Sequence, residues 1–366
     1  MSPQPSPVPR RRRGGRASRR AMGVLGILVA VLLTTFAPAA GAATAPLLTC
    51  TEHTLQVRIA DPGPASSTLF GQLCYAGRHA PGTVQLLVHG ATYNHVYWDF
   101  PVGGGYYSYV RAATLAGYAT FNVDRIGAGS SSHPVSSELD ISAGAVALHD
   151  TITALRSGAV GGAAFSHVIY VGHSFGSLHG WVEVSRYHDV DAMIVTGLLH
   201  AFPQSSLDAS LAAAYPAVDD PRFAGSGLDP GYVTTRPGTR GPLFYYPATT
   251  DPRVLAADEA SKDTATLAQL FEALPMIMTP APADAPSRQI TVPVLVIVGE
   301  KDALFCTPDC ADQAALQQSE APFYAPEAHL RVVVMPQTGH DLALSTTAPV
   351  TDAVALAWAL SVISPA

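Results

Sequence analysis

HVIYVGHSFGS, residues 167–177, decides how this chain folds. Val168 to Val171 form a short apolar strand that runs directly into Gly172-His173-Ser174-Phe175-Gly176, a G-x-S-x-G pentapeptide. Leu178 to Tyr187 then carry apolar positions at helical spacing. Strand, sharp turn and helix in that order predict a serine held in a strained turn. The two glycines remove the Cβ atoms that would clash there, and Oγ is left exposed above the strand end. The helix N-terminus beneath it favours developing negative charge.

Working outward, the same alternation recurs. Thr83 to Val88 is an apolar strand ending in His89-Gly90-Ala91-Thr92, and Tyr106 to Ala116 reads as a helix stopped by Gly117. Tyr118 to Val123 is a strand closing on Asp124-Arg125-Ile126-Gly127-Ala128-Gly129-Ser130, and Ile141 to Arg156 is a helix. Ala192 to Thr196 is a further strand. After a break, Val292 to Val298 is a strand ending in Gly299-Glu300-Lys301-Asp302, Ala311 to Glu320 a helix, and Leu330 to Met335 a strand ending in Gly339-His340. Val350 to Ile363 closes the chain as a helix. Strands apolar on both faces, alternating with helices, predict an α/β fold with a mostly parallel central sheet and helices on both faces. Functional residues then gather at the carboxyl ends of the strands.

The break spans residues 201–288. It is rich in Pro, Tyr, Ala and Asp, with helical pieces at Leu207 to Tyr215 and Arg253 to Leu274 and an aromatic patch at Phe244-Tyr245-Tyr246. It is too long for a plain connection, which predicts a cap inserted over the strand ends. The division expected is therefore a signal peptide at 1–42, core at 43–200, cap at 201–288 and core again at 289–366.

The first 42 residues read as an address. A basic segment ending at Arg20 leads into the apolar run Met22 to Phe36, and Ala40-Gly41-Ala42 offers a small-residue cleavage site. An exported, secreted protein follows, by the Sec or the twin-arginine route, with no stable membrane anchor after cleavage. Seven of the 21 Lys and Arg lie in that segment, leaving 14 basic against 28 acidic side chains. That balance argues against nucleic acid or an anionic membrane as partner. With 48% apolar residues the chain can bury a sizeable core. Its four cysteines suit an oxidising compartment as two disulfides. Cys50 and Cys74 flank two strand-like runs of a hairpin; Cys306 and Cys310 bridge if the loop between them turns tightly. No second Cys pair or His completes a metal ligand set with them.

Ser174, Asp302 and His340 each sit just beyond a strand end, so the fold brings a hydroxyl, a base and an orienting acid to one face. Their order, Ser then Asp then His, is the one expected for a nucleophile elbow on such a sheet. Glu300 and Asp309 are the alternatives to Asp302. The backbone N–H of Phe175 and that of Ala91, with Thr92 behind it, are the candidate oxyanion donors. His89 braces the oxyanion loop, and Asp124 and Arg125 tie loops together by charge-assisted hydrogen bonds. Tyr93, Tyr97, Trp98, Phe100, Phe175, Phe244 and Met276 are candidates for an apolar substrate pocket.

On the His89-Gly90 loop, the Asp124 to Ser130 stretch, the Gly172 to Gly176 elbow, Gly299 to Asp302 and Gly339-His340, the chain resembles the α/β-hydrolase superfamily over roughly residues 50–365. The resemblance implies a Ser-Asp-His hydrolase with a variable cap after the sixth strand. Ala91-Thr92-Tyr93 departs from the glycine-rich HGGG loop of lipase-like members, which argues against bulky tertiary-alcohol esters. The expected activity is cleavage of a small apolar ester or lactone through an acyl-enzyme, with no metal and no organic cofactor. Peptidase, thioesterase and acyltransferase chemistry use the same triad, and a catalytically silent binding protein is the rival of another class. Ser174 speaks against the Asp-nucleophile epoxide hydrolases and dehalogenases.

Overall fold

The computed structural model describes residues 48–307 and 310–365. The expected signal peptide lies outside them, as do Pro308 and Asp309. Eight strands form one sheet: β1 (Leu48–Val57), β2 (Ser67–Ala76), β3 (Thr83–Val88), β4 (Ala119–Val123), β5 (His167–His173), β6 (Ala192–Thr196), β10 (Val294–Gly299) and β11 (Arg331–Met335). Their spatial order is β1-β2-β4-β3-β5-β6-β10-β11. β1 and β2 pair antiparallel, as do β2 and β4, and the remaining pairs are parallel.

The central strands are buried along their length because side chains alternate between two separate cores. Val294, Val296 and Val298 of β10 join one core with Ile141 and Leu148 of α2 (Ile141–Ser157) and Leu178 and Trp181 of α3 (Phe175–Tyr187). Leu295 and Ile297 join the other, with Tyr109 and Val110 of α1 (Tyr109–Leu115) and Leu356 and Trp358 of α9 (Ala348–Val362). α8 (Gln313–Glu320) connects β10 to β11. α1 begins at Tyr109, three residues later than the sequence suggests, because the Ser108 hydroxyl accepts Arg111 N–H at 3.0 Å and so fixes the first turn.

Between β6 and β10 lie α4 (Gln204–Ala213), β7 (Ala214–Pro216), β8 (Tyr232–Thr235), α5 (Arg240–Phe244), α6 (Pro252–Ser261), β9 (Ala265–Thr266) and α7 (Leu267–Ile277). β7, β8 and β9 form a small antiparallel sheet. The helical piece expected over Arg253 to Leu274 is therefore two helices with a strand between them. Tertiary bonds at the break outweigh helical propensity: Lys262 Nζ reaches Thr235 O at 2.7 Å and Asp220 at 2.6 Å, Asp263 N–H donates to Thr92 O at 2.8 Å, and Thr264 Oγ1 to Gly127 O at 2.5 Å.

Both cysteine pairs are disulfides, and no described helix is long and apolar enough to cross a membrane. Cys50 and Cys74 face each other across the edge hairpin. Closing a loop of that span contributes roughly 3 kcal/mol by restricting the unfolded chain. Replacing both by Ala is expected to lower Tm while leaving the central sheet and any activity at 25 °C intact; an unchanged Tm would refute this.

Candidate active site

Ser174 stands alone between the last residue of β5 and the first of α3, with φ 51° and ψ −115°. A non-glycine residue there carries about 1–3 kcal/mol of strain and needs the surroundings to hold it. Its N–H donates to Thr196 O of β6 at 2.7 Å. A Cβ on Gly176 would lie 2.1 Å from Val88 O, and one on Gly172 would lie 2.5 Å from Ser177 N. Only glycine permits α3 to start so close to the end of β3.

His340 follows β11, and Asp302 follows β10. Glu300 N–H donates to Met335 O and Lys301 N–H to Thr338 O, both at 2.9 Å, which binds the two strand-end loops into one unit. His340 Nδ1 donates to Asp302 Oδ2 at 2.8 Å. Asp302 Oδ1 accepts Leu304 N–H at 2.8 Å and Phe305 N–H at 3.2 Å, so the carboxylate is fixed from both sides. Glu300 turns away, paired with Lys301 at 2.9 Å and with Gln337 N–H at 2.9 Å. Burial alone would lower the His340 pKa, but the charge and hydrogen bond of Asp302, with the charge of Asp341, raise it above the ordinary imidazole value. The Cys306–Cys310 disulfide begins at the residue directly after those N–H donors, and Cys306 N–H itself donates to Asp302 O at 2.8 Å.

The loop after β3 is pinned by its carbonyls. Arg125 donates to His89 O at 3.1 Å and to Gly90 O at 3.0 Å. His89 Nε2 accepts Arg125 N–H at 3.0 Å, so its proton is on Nδ1, which bonds Gly90 O at 2.9 Å. Burial and Arg125 keep that imidazole neutral. Thr92, at φ 59°, has its hydroxyl held by Arg240 at 3.0 Å. Phe175 opens α3, so its N–H has no intrahelical acceptor.

Ser174, His340, Ala91 and Phe175 line one cavity of about 160 Å³. Tyr93 and Phe244 line it too, together with Leu207, Leu243, Leu270 and Phe271 of the segment between β6 and β10. Trp98 does not. The 3-10 turn His95–Trp98 carries it inward, where it is buried edge-on to Tyr97 at 4.9 Å and beside Tyr109 at 5.4 Å. Met276 does not either, since Leu270, Ala273, Leu274 and Ile277 occupy the cavity-facing stripe of α7 and Met276 falls off it.

Beneath the site lies a buried polar network absent from the sequence reading. Thr196 Oγ1 donates to Gly172 O at 2.9 Å, so it accepts from His173 Nδ1 at 3.1 Å, which leaves His173 Nε2 facing Asp341 Oδ1 at 3.3 Å as an acceptor. Burial and Asp258 push the Asp341 carboxyl up to about 7, so that below this pH it carries the proton that His173 Nε2 accepts and above it the charge that acts on His340. Burial and His340 hold His173 neutral. The Tyr93 hydroxyl closes on Asp341 Oδ2, and Asp258 is gripped by Arg240 at 2.8 and 2.9 Å and by Tyr245 at 2.9 Å. Donor atoms of His173, His340 and Asp341 lie within 4.8 Å of one another, and those of His173 and Asp341 are engaged by these hydrogen bonds. The only sequence signals were charged residues in apolar company and an acid next to His340.

The model of the alpha/beta hydrolase family matches residues 85–353. Among solved structures, a thermophilic esterase from Thermogutta terrifontis is similar with TM-score 0.55 at 20% identity, over 85% of this chain and 99% of the other. Carboxylesterase CesB from Bacillus subtilis gives TM-score 0.56 at 17% identity, over 86% and 93%. The naproxen esterase of Bacillus subtilis gives 0.52 at 17%, over 85% and 92%. No curated protein matches the chain in sequence.

If His340 acts as a base it must be neutral, and its raised pKa means activity is lost as pH falls through that value. Asp302→Asn is expected to cut kcat on the order of 10³–10⁴-fold. It should also move the acid limb of kcat/KM to lower pH, because burial then acts unopposed by that carboxylate; a limb that stays put would assign it to another group. Cys306→Ala with Cys310→Ala is expected to lower kcat several-fold with little change in Tm, since so short a loop restrains the unfolded chain weakly. Equal loss of both, or of neither, would refute it.

Proposed function

The chain belongs to the alpha/beta hydrolase family, and from that footing we propose that it is an exported serine hydrolase cleaving carboxylic esters or lactones that carry an apolar acyl group. The observation that carries this reading is Ser174, strained at positive φ, opening onto an apolar cavity shared with a His340 whose Nδ1 is anchored on Asp302. Among the described residues His340 Nε2 has no hydrogen bond, which suits it to take the Ser174 proton.

In this mechanism Ser174 Oγ attacks the ester carbon while His340 Nε2 accepts its proton, and Asp302 steadies the imidazolium. The developing oxyanion is received by the N–H groups of Ala91 and Phe175, next to the α3 N-terminus. His340 then returns the proton to the leaving alcohol. Water enters, is deprotonated by the same nitrogen, and releases the acid. Residues 201–288 serve as the cap, because most apolar side chains lining the cavity come from them. Export is supported by the basic and apolar leader in the sequence and by the two disulfides.

The test is hydrolysis of p-nitrophenyl esters from acetyl to long acyl chains, with Ser174→Ala alongside. Turnover is expected for the parent and a loss on the order of 10⁶-fold in kcat for the variant. kcat/KM should rise roughly fourfold for each CH₂ buried until the cavity is full. Activity surviving in Ser174→Ala would overturn the serine mechanism, and a profile highest at acetyl would overturn the acyl assignment of the cavity.

A further inference from the structure

A second cluster of ionisable side chains lies outside the cavity lining, between α2, α3 and the loop that follows α3. Glu183 of α3 is fully buried, yet no N–H or hydroxyl group donates to either of its carboxylate oxygens or to Asp189 Oδ1 beside it. His149 of α2 completes the group; its Nδ1 lies 2.6 Å from Asp189 Oδ2 and 4.0 Å from Glu183 Oε1. One donor atom from each of the three falls within 4.8 Å of the others. An orphaned buried carboxylate is costly unless a proton or a cation meets it.

We propose that His149 Nδ1, Glu183 and Asp189 form a binding site for a divalent transition-metal cation of the zinc class. One imidazole with two carboxylates is a donor set such ions accept, and water completes a tetrahedron at the partly exposed rim formed by His149 and Asp189. Bonds of 2.0–2.2 Å in tetrahedral geometry place donors about 3.3 Å apart. The observed separations of 2.6 and 4.0 Å bracket that value, and the third pair falls within 4.8 Å. The ring of His149 is already oriented by stacking on Tyr187 at 3.8 Å. Asp189 is anchored through its carbonyl, which accepts Arg156 Nε at 2.8 Å. Without a cation, burial, the Asp189 charge and a hydrogen bond to Asp189 drive the Glu183 carboxyl well up, so it holds a proton, shared with Asp189, that metal binding would expel. The site would clip the end of α3, whose beginning carries Ser174, to α2.

The experiment uses untagged full-length secreted protein, stripped with EDTA and titrated with zinc chloride, followed by thermal melting and calorimetry in buffers of different ionisation enthalpy. One equivalent of Zn²⁺ should bind with release of about one proton. At a hundredfold excess over Kd, Tm should rise by about 4 °C. Glu183→Gln, which keeps the side-chain shape, and His149→Ala, at a partly exposed position, should each abolish the shift. No shift in the parent overturns the proposal and leaves Glu183 and Asp189 sharing a proton. A shift that survives both substitutions overturns it in favour of binding elsewhere, such as at His173, His340 and Asp341. A response to calcium chloride but not to zinc chloride also overturns it, because imidazole is a poor calcium ligand.

Discussion

The site depends on how closely the start of α3 presses against the end of β3. Gly176 sits where any side chain would collide with the Val88 carbonyl, and that approach leaves Ser174 no ordinary backbone conformation. The same contact brings Phe175 N–H beside the loop that carries Ala91. It also seats Gly90 so that even a methyl there would lie 3.2 Å from the His173 ring and 3.3 Å from Ser174 Cβ. The strain is local, whereas the forces that hold it are not. β5 is buried between two apolar cores, and α3 packs on one of them through Leu178, Trp181 and Val184. Each buried large apolar side chain contributes about 1.5–3 kcal/mol, so a few of them outweigh the cost of one strained residue.

A second arrangement in the same chain shows why atoms at triad distances do not by themselves make a site. His200 Nδ1 lies 2.8 Å from Glu320, and its Nε2 lies 2.8 Å from Ser287 Oγ. This Ser-His-Glu set is wholly buried, its imidazole sandwiched between Trp181 at 4.0 Å and Phe323 at 4.2 Å. Ser287 Oγ donates its proton to Phe323 O at 2.7 Å, so His200 must donate to Ser287. That is the reverse of the direction a general base needs. Ser174 differs in the two respects that matter: its backbone is strained, and its hydroxyl opens onto a cavity.

The strands and the elbow were legible because they rest on local patterns. Continuous apolar runs and the glycines flanking Ser174 carry their meaning within a few residues. The break between α6 and α7 was not legible, because Lys262, Asp263 and Thr264 are drawn out of helix by partners at Asp220, Thr92 and Gly127, distant in sequence. Trp98 and Met276 were misplaced for a related reason. An aromatic near the mouth of a site looks like lining until a 3-10 turn or a helical phase decides which way it points. The network under the site was invisible, since nothing in the sequence says that Asp341 meets Tyr93 or that Asp258 meets Arg240.

That network also bears on how the segment between β6 and β10 relates to the rest. Arg240 and Asp258 come from the segment, are fully buried, and hold each other by two hydrogen bonds. Arg240 also bonds the Thr92 hydroxyl and lies 4.1 Å from the centre of the Tyr93 ring, while Asp263 N–H takes the Thr92 carbonyl. Separating such a pair leaves an uncompensated charge and costs about 3–5 kcal/mol. α5, α6 and the stretch before β9 are therefore a fixed wall of the site, joined to the loop that carries Ala91. The exposed apolar side chains on the cavity lie elsewhere, at Leu211 of α4 and at Leu267 and Phe271 of α7. No buried ion pair among the described residues ties those two helices to the strand ends. The segment thus divides into a charged, buried part that sets the geometry beside Ser174 and an apolar, solvent-facing part that forms the rim of the cavity.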